Sequence, residues 1–530
     1  MRLGGWKGCV ATMLAPTVLA LSATVTPAAN LSLVEAVRNQ DQQKARALLS
    51  QRADVNVRSA DGSTALLWAA HWNDRATADQ LLRAGADPNA ANEFGMTPLS
   101  QACINGSAAL VELLLESGAN PNTRVATGET PVMTCAKTGG VDAVRALIAR
   151  DADVNAVEPV EHQTALMWAA AERHADVVKA LIDAHANLQA RTRKGFAVLH
   201  FAARQGDEEI VRILLAAGMN VNLRTQPDEP ASGGGKAPAG PAATSDTVGL
   251  VAPARSGRGN ALTGGFTPLL IATVRGKVDL ALFLLDHGAD PNISEAGFTA
   301  LHWASATWEN GSSNPVYGFE DPMSGIPNRQ RKLKLVKALL AHGADPNARM
   351  QRRPPVGGGY TDVNGATPFL LASSVDDVEM MRILLAAGAD PKLVTGSKTT
   401  PIMAAAGLNH SVGESSVTEA QALAAVHFLL DLGLDPKGST TFGENALFGP
   451  AYRGWNTLLA QLIDLGVNVN AVSRASITPW LAASGQGDRL GGVLYNKEGA
   501  DLLLTHGADP TLGHPCLAQT KCRAEAGEKQ

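Results

Sequence analysis

The sequence predicts an all-α solenoid of about twelve helix–turn–helix units, and three observations predict it. A short signature such as GADPN at 85–89 and 288–292, or GANPN at 118–122, recurs along the chain. Its Asp or Asn falls at Asp54, Asp87, Asn120, Asp153, Asn187, Asn220, Asp290, Asp345, Asp390, Asp435, Asn468 and Asp509. The first five steps are 33, 33, 33, 34 and 33 residues; the later ones, 70, 55, 45, 45, 33 and 41, are the same period with or without an insertion. Helix-start and helix-stop residues fall in phase with that period, and apolar runs fall between them. A unit this short cannot bury its apolar face alone, so neighbours must stack.

The elements follow in chain order. Residues 1–29 carry Arg2 and Lys7 and no acid, then an apolar stretch from Val10 to Val25, then small residues ending at Ala29. This is the layout of a cleavable export signal, with cleavage expected near Ala28 or Ala29. The apolar stretch is short for a spanning helix and holds Pro16, so a membrane contact is expected only through an uncleaved signal anchor. Removing the segment leaves 43 basic against 50 acidic residues, a mildly acidic mature chain.

Regular repeats one to six occupy 30–225. The first helix of a unit opens on Thr followed by Pro or Ala, as in TALLWAA (64–70), TPLSQAC (97–103), TPVMTCA (130–136), TALMWAA (164–170), TPLLIAT (267–273) and TALHWAS (299–305). Thr is an N-cap, and Pro at the first helical position gives up an N–H that had no partner there. With that Thr counted as one, position ten is Gly106, Gly139, Gly206, Gly276, Gly454 and Gly487, or Asn73 and Asn409. These residue types accept the left-handed backbone that ends a helix. The second helix is an apolar run such as Ala109–Leu115 or Val211–Leu215, stopped by Gly85, Gly118, Gly218, Gly288 and Gly343.

These motifs resemble the ankyrin repeat, and the resemblance covers nearly all of residues 30–514. It implies a β-turn followed by two antiparallel helices in each unit, with short β-hairpin loops between units. Repeats seven to twelve, 266–514, are decorated. Residues 226–265, with 22 Gly, Pro or Ala among 40, read as a flexible loop. The aromatic-bearing stretch 308–331 separates the two helices of repeat eight, and residues 350–363 lengthen a hairpin. Additions at 409–420 and 485–497 again fall between paired helices. Residues 515–530 form a polar tail.

Composition excludes several classes. The chain has 530 residues, 45% apolar and 18% charged, with a formal charge of −5, so neither a disordered acidic chain nor a basic nucleic-acid binder is indicated. No phosphate loop, His-Glu-x-x-His, Gly-x-Ser-x-Gly or Cys-x-x-Cys occurs, and no catalytic residue, metal site or cofactor is expected. Cys103 and Cys135 fall on first helices of adjacent repeats about 8–10 Å apart, beyond easy bridging, and read as buried free thiols. Cys516 and Cys522 are close neighbours in the tail and read as a small loop disulfide in an oxidising compartment.

The resemblance implies that His200 and His302 hydrogen-bond loop backbone. It also implies that hairpin tips and first helices line a partner-binding groove. Carried over position by position, the residue before the motif Thr or its equivalent is Phe196, Phe266 and Phe298 in three consecutive repeats, with Met96 earlier. Three partly exposed rings would anchor a partner, or they pack only against adjacent hairpins. Positions eight and nine add Trp72, Arg204, Arg275, Tyr452 and Arg453. Arg58, Arg124, Arg191, Arg193 and Lys194 fall on hairpins, whereas Trp68, Trp168 and Trp303 read as packing between helices. The expected function is a non-catalytic, exported bacterial scaffold, periplasmic or secreted, that binds another protein. The alternatives are an envelope enzyme or redox accessory working from the insertions, and a secreted host-directed effector.

Overall fold

The computed structural model describes residues 27–226, 264–307, 328–352, 354, 363–408, 417–485 and 495–513. Most of the expected loop 226–265 and of the 308–331 and 350–363 insertions, the Cys516–Cys522 pair and the part of the expected signal before Pro27 lie outside the described residues. Every regular element among those described is an α-helix, as the sequence predicts. The helices fall into twelve pairs, in two compact units, Met1–Ala126 and Thr127–Gln530.

The first unit holds α1 (Pro27–Arg38), α2 (Gln42–Ser50), α3 (Ala65–His71), α4 (Arg75–Arg83), α5 (Pro98–Ile104) and α6 (Ala108–Glu116). The expected cleavage point falls in the first turn of α1, upstream of its buried Leu33, Val34, Ala36 and Val37. The second unit begins with α7 (Pro131–Thr138), α8 (Val141–Ile148), α9 (Ala165–Ala171), α10 (Ala175–Asp183), α11 (Val198–Gln205) and α12 (Glu208–Ala216). It continues through α13 (Pro268–Val274), α14 (Val278–Asp286), α15 (Ala300–Ser305), α16 (Arg329–Ala341), α17 (Pro368–Ser374) and α18 (Val378–Ala386). It ends with α19 (Pro401–Ala405), α20 (Glu419–Asp431), α21 (Phe448–Arg453), α22 (Asn456–Asp464), α23 (Pro479–Ala483) and α24 (Lys497–Thr505).

Local chemistry sets these boundaries. The motif Thr caps its helix through Oγ1 at Thr64, Thr97, Thr164, Thr267, Thr299, Thr367, Thr400 and Thr478. Thr130 caps without a side-chain bond. Small residues let first helices of successive repeats close together. The tightest case is Gly449 in α21, where a Cβ would lie 2.0 Å from the Ala406 carbonyl oxygen.

At seven of the signature landmarks, an asparagine two residues on joins its repeat to the next. Asn292 Nδ2 donates to the Gly343 carbonyl at 2.8 Å, and its Oδ1 accepts from Asp345 N at 2.7 Å. Asn56, Asn89, Asn155, Asn222, Asn347 and Asn470 make the same two bonds. Lys392 and Lys437 stand at that position in repeats nine and ten, where an ammonium cannot accept a bond.

The loops between repeats are turns with no strand among the described residues, as the all-α reading expects; neighbouring hairpins share only isolated bonds such as Arg193 N to Glu161 O at 2.9 Å. One expectation is corrected. Cys103 and Cys135 are disulfide-bonded, whereas the sequence reading made them free thiols.

Candidate functional site

In the second unit, the hairpin before α11 is built by a short polar run. Thr192 N donates to the Phe196 carbonyl at 2.9 Å, and Thr192 Oγ1 accepts from Phe196 N at 3.1 Å, so the loop closes on its own side chain. Gly195 turns it with φ 73°, and a Cβ there would lie 1.3 Å from the Gln226 carbonyl oxygen; only glycine fits. Arg191 Nη1 donates to the carbonyls of Gly195 (3.0 Å) and Arg224 (2.8 Å), and Arg193 Nη2 donates to that of Pro159 (2.7 Å). The hairpin is thereby tied on both sides.

His200 then fixes the start of α11. Its Nδ1 accepts from Ala197 N at 3.0 Å, so Nε2 carries the proton and donates to the Leu223 carbonyl at 3.2 Å. Full burial holds its pKa down to about 4, and the ring is neutral at physiological pH. His302 repeats the arrangement with Thr299 N and the Ala348 carbonyl, also at about 4. Both histidines therefore do what the family resemblance implies.

Above this framework opens a small surface cleft whose enclosed space, about 10 Å³, has room for little more than a water molecule. Its walls are the half-buried Phe196 ring, set edge-on to His200 at 5.9 Å, and Phe201. Thr192 closes one side, and Glu161, Lys194 and Arg204 form the charged rim. Lys194 Nζ lies 3.7 Å from Glu161 Oε1, with both side chains partly in solvent. Such a pair adds little stability and stays available to other partners. The neighbouring Glu158 is buried, and its carboxylate accepts from the backbone N–H groups of Val160, Glu161 and Gln163.

The structure brings Phe196 and Arg204 together in this cleft and separates the other expected residues from it. Phe266 and Phe298 are only 6% and 1% exposed and pack edge-to-face at 6.2 Å, Phe298 continuing onto Trp303 at 6.0 Å. They are core, and the three-ring ladder is corrected to one accessible ring. Phe266 is covered by Phe298 of the next repeat's hairpin, and Phe298 by Trp303 of its own repeat's first helix. Met96 is half-buried in the first unit, where Trp72 is 43% exposed and donates Nε1–H to the Arg38 carbonyl at 3.0 Å. Arg58 and Arg191 bridge hairpin carbonyls and are structural ties. Trp303 is core as expected, while Trp68 and Trp168 are half-exposed beneath Arg38 and Lys137.

Arg275 is half-buried at the end of α13, and Tyr452 and Arg453 are half-buried at the end of α21. The Arg453 guanidinium stacks on Trp455 at 4.8 Å. It also attracts Asp376, whose carboxyl is pushed well above the usual range by burial. Asp376 occupies position ten with φ 53°, and an Asp where the pattern wants Gly or Asn is the signal that sequence reasoning missed. Lys332 was missed as well: its buried ammonium, held down to about 8 by desolvation, donates to the Ala306 carbonyl and to Thr307 Oγ1. Among the described residues no three His, Cys, Asp or Glu side chains converge as metal ligands, and no helix is long and apolar enough to cross a membrane.

Comparison with known proteins matches residues 33–125, 71–158 and 132–225 to "Ankyrin repeats (3 copies)", 263–310 to "Ankyrin repeats (many copies)", and 296–351 and 364–396 to "Ankyrin repeat". These matches together cover more than half of the chain. The human ankyrin repeat and SOCS box protein 16 is 39% identical over 252 residues, 46% of this chain and 43% of that protein. Protein PhlB of Serratia liquefaciens is 35% identical over 143 residues, 27% of this chain and 47% of that protein. The chain thus aligns with less than half the length of either relative. The crystal structure of the human ASB11 ankyrin repeat domain is 29% identical, covering 36% of this chain and 86% of that one, with a TM-score of 0.34.

Proposed function

The chain belongs to the ankyrin repeat family, and from that premise we propose that it is an exported, non-catalytic scaffold that binds a partner protein. Ankyrin repeats generally mediate protein–protein interaction, which supports the binding role. The observation that carries the reading is the Phe196 cleft. An aromatic wall lies beside exposed charge on a backbone tied to both neighbouring repeats, the composition of an interface anchor.

Two features support export to a periplasmic or extracellular location. The first 29 residues have signal layout, and Cys103 and Cys135 are disulfide-bonded, a state that persists in oxidising compartments. In the same setting Cys516 and Cys522 bridge as a small loop.

The test uses the mature chain, residues 30–530, immobilised and exposed to an envelope extract of its own cell. One protein is retained specifically, and Phe196→Asp lowers its retention at least tenfold with an unchanged circular dichroism spectrum. Retention indifferent to Phe196→Asp moves the site elsewhere, and no retained protein removes the scaffold role. Fractionation of the full-length chain finds it outside the cytoplasm with an N-terminus near Asn30; an intact Met1 in the cytosol contradicts export.

A further inference from the structure

The residue just before the cap of a second helix takes the left-handed backbone that ends the first. Where it is not glycine, its side chain is exposed at Gln40, Asn73 and Arg173, with φ 60°, 54° and 65°. Repeat nine departs from this. Asp376 takes the same backbone after α17, φ 53°, yet it is only 8% exposed, and its Oδ1 has no hydrogen-bond partner. Asparagine would make the same turn, as Asn73 does, with no charge to bury. An acid at this position carries a desolvation cost that ending the helix does not require.

The charges around it are few and mostly engaged elsewhere. α17 packs against α15, α18 and α19. α15 brings His302, a buried neutral ring, and α19 brings no ionisable side chain. At the start of α18, Asp377 and Glu379 are both held by Arg329, at 2.8 and 2.7 Å, and further along Arg382 stacks on Phe428. Lys332 of α16 donates to the Ala306 carbonyl and to Thr307 Oγ1. The charge that acts on Asp376 is the Arg453 guanidinium, from two repeats further on. Arg453 lies over Gly407 of the intervening repeat, where a Cβ would be 3.0 Å from its Nε, and it stacks on Trp455. Its attraction is outweighed by burial, which pushes the Asp376 carboxyl well above the ordinary carboxylate range.

We propose that Asp376 makes the junction of repeats nine and ten pH-responsive: the uncharged acid belongs to the closed packing of α17 with α18 and α19, and loss of its proton to water loosens that packing. The direction follows from burial. A buried carboxylate without a hydrogen-bond donor is costly, and the guanidinium two repeats away offsets only part of that cost. Since the folded pKa lies above the ordinary 3.8, the closed form is fully favoured below that value and weakens as pH rises through the folded one. The other buried groups nearby run the opposite way. Lys332, held down to about 8, and His302, at about 4, both favour the fold more as pH rises. A loss on raising the pH therefore carries the sign of the acid.

The test is amide exchange of the full mature chain at pH 5, 7 and 9, with the intrinsic pH dependence of exchange divided out. In the parent, opening of α17 and α18 rises at least tenfold from pH 5 to 9, while α7 and α8, the reference, stay within twofold. In Asp376→Asn, which keeps the shape and the left-handed turn, opening of α17 and α18 stays within twofold. Asp376→Gly suits the same backbone and behaves as Asp376→Asn does. Arg453→Gln removes the offsetting charge and enlarges the rise. A flat profile in the parent, an equal rise in Asp376→Asn, or a rise that persists in Asp376→Gly overturns the proposal. A rise of the same size in α7 and α8 overturns it as well, since the loosening is then not confined to this junction. An unchanged rise in Arg453→Gln overturns the part given to the guanidinium.

Discussion

His200 and His302 show how a single residue type links sequence pattern to stability. Each ring accepts from the backbone N–H of the residue that caps its helix and donates to the following hairpin, and burial makes the charged form unfavourable. Their folded pKa values, about 4, lie below the ordinary 6.5, so their contribution is fully present above pH 6.5 and is lost as pH falls towards 4. By about pH 5 the loss is on the order of 2 kcal/mol per ring. Urea midpoints at pH 7.5 and 5 check this. His200→Gln with His302→Gln is less stable than the parent at pH 7.5 but loses less between the two values; an equal loss contradicts the assignment. The histidine role was legible because the motif fixed their register. The burial of Phe266 and Phe298 was not, because position alone cannot say how far a neighbouring repeat covers a ring.

At the scale of the element, helix starts and stops were written in the sequence through Thr caps and Gly ends, and the structure uses them almost throughout. What joins one repeat to the next was visible but unread. The Asn two residues after most landmarks belongs to the recurring signature, and only the fold shows that, as at Asn292, it reaches the following repeat. Lys392 and Lys437 interrupt that ladder in two consecutive repeats, which predicts looser coupling around α20. Lys392→Asn should restore two bonds, towards the Gly433 carbonyl and Asp435 N, worth about 1–2 kcal/mol together. Amide exchange reads this directly: protection in α20 and its following turn rises in Lys392→Asn and falls around α16 in Asn292→Ala. Unchanged protection in both means the ladder is a geometric by-product.

For the whole molecule, the period of 33 residues made the architecture legible, since only stacking buries so many short amphipathic pairs. The site was legible in part. Family register located Phe196 and Arg204, but not that Glu161 and Lys194 frame a cleft with them, because those residues meet only when successive hairpins stack. The proposed export predicts a signature in the thiols. The mature chain keeps Cys103, Cys135, Cys516 and Cys522, and protein purified from the envelope and then unfolded should show no reactive thiol. Two thiols contradict the tail bridge, and four contradict oxidative folding. The most direct test of the central claim is hydrogen–deuterium exchange on the mature chain with and without the protein it retains. Slowed exchange centred on residues 192–196 and α11 is the predicted result. Protection confined to other repeats, with the Phe196 hairpin unchanged, would contradict the account.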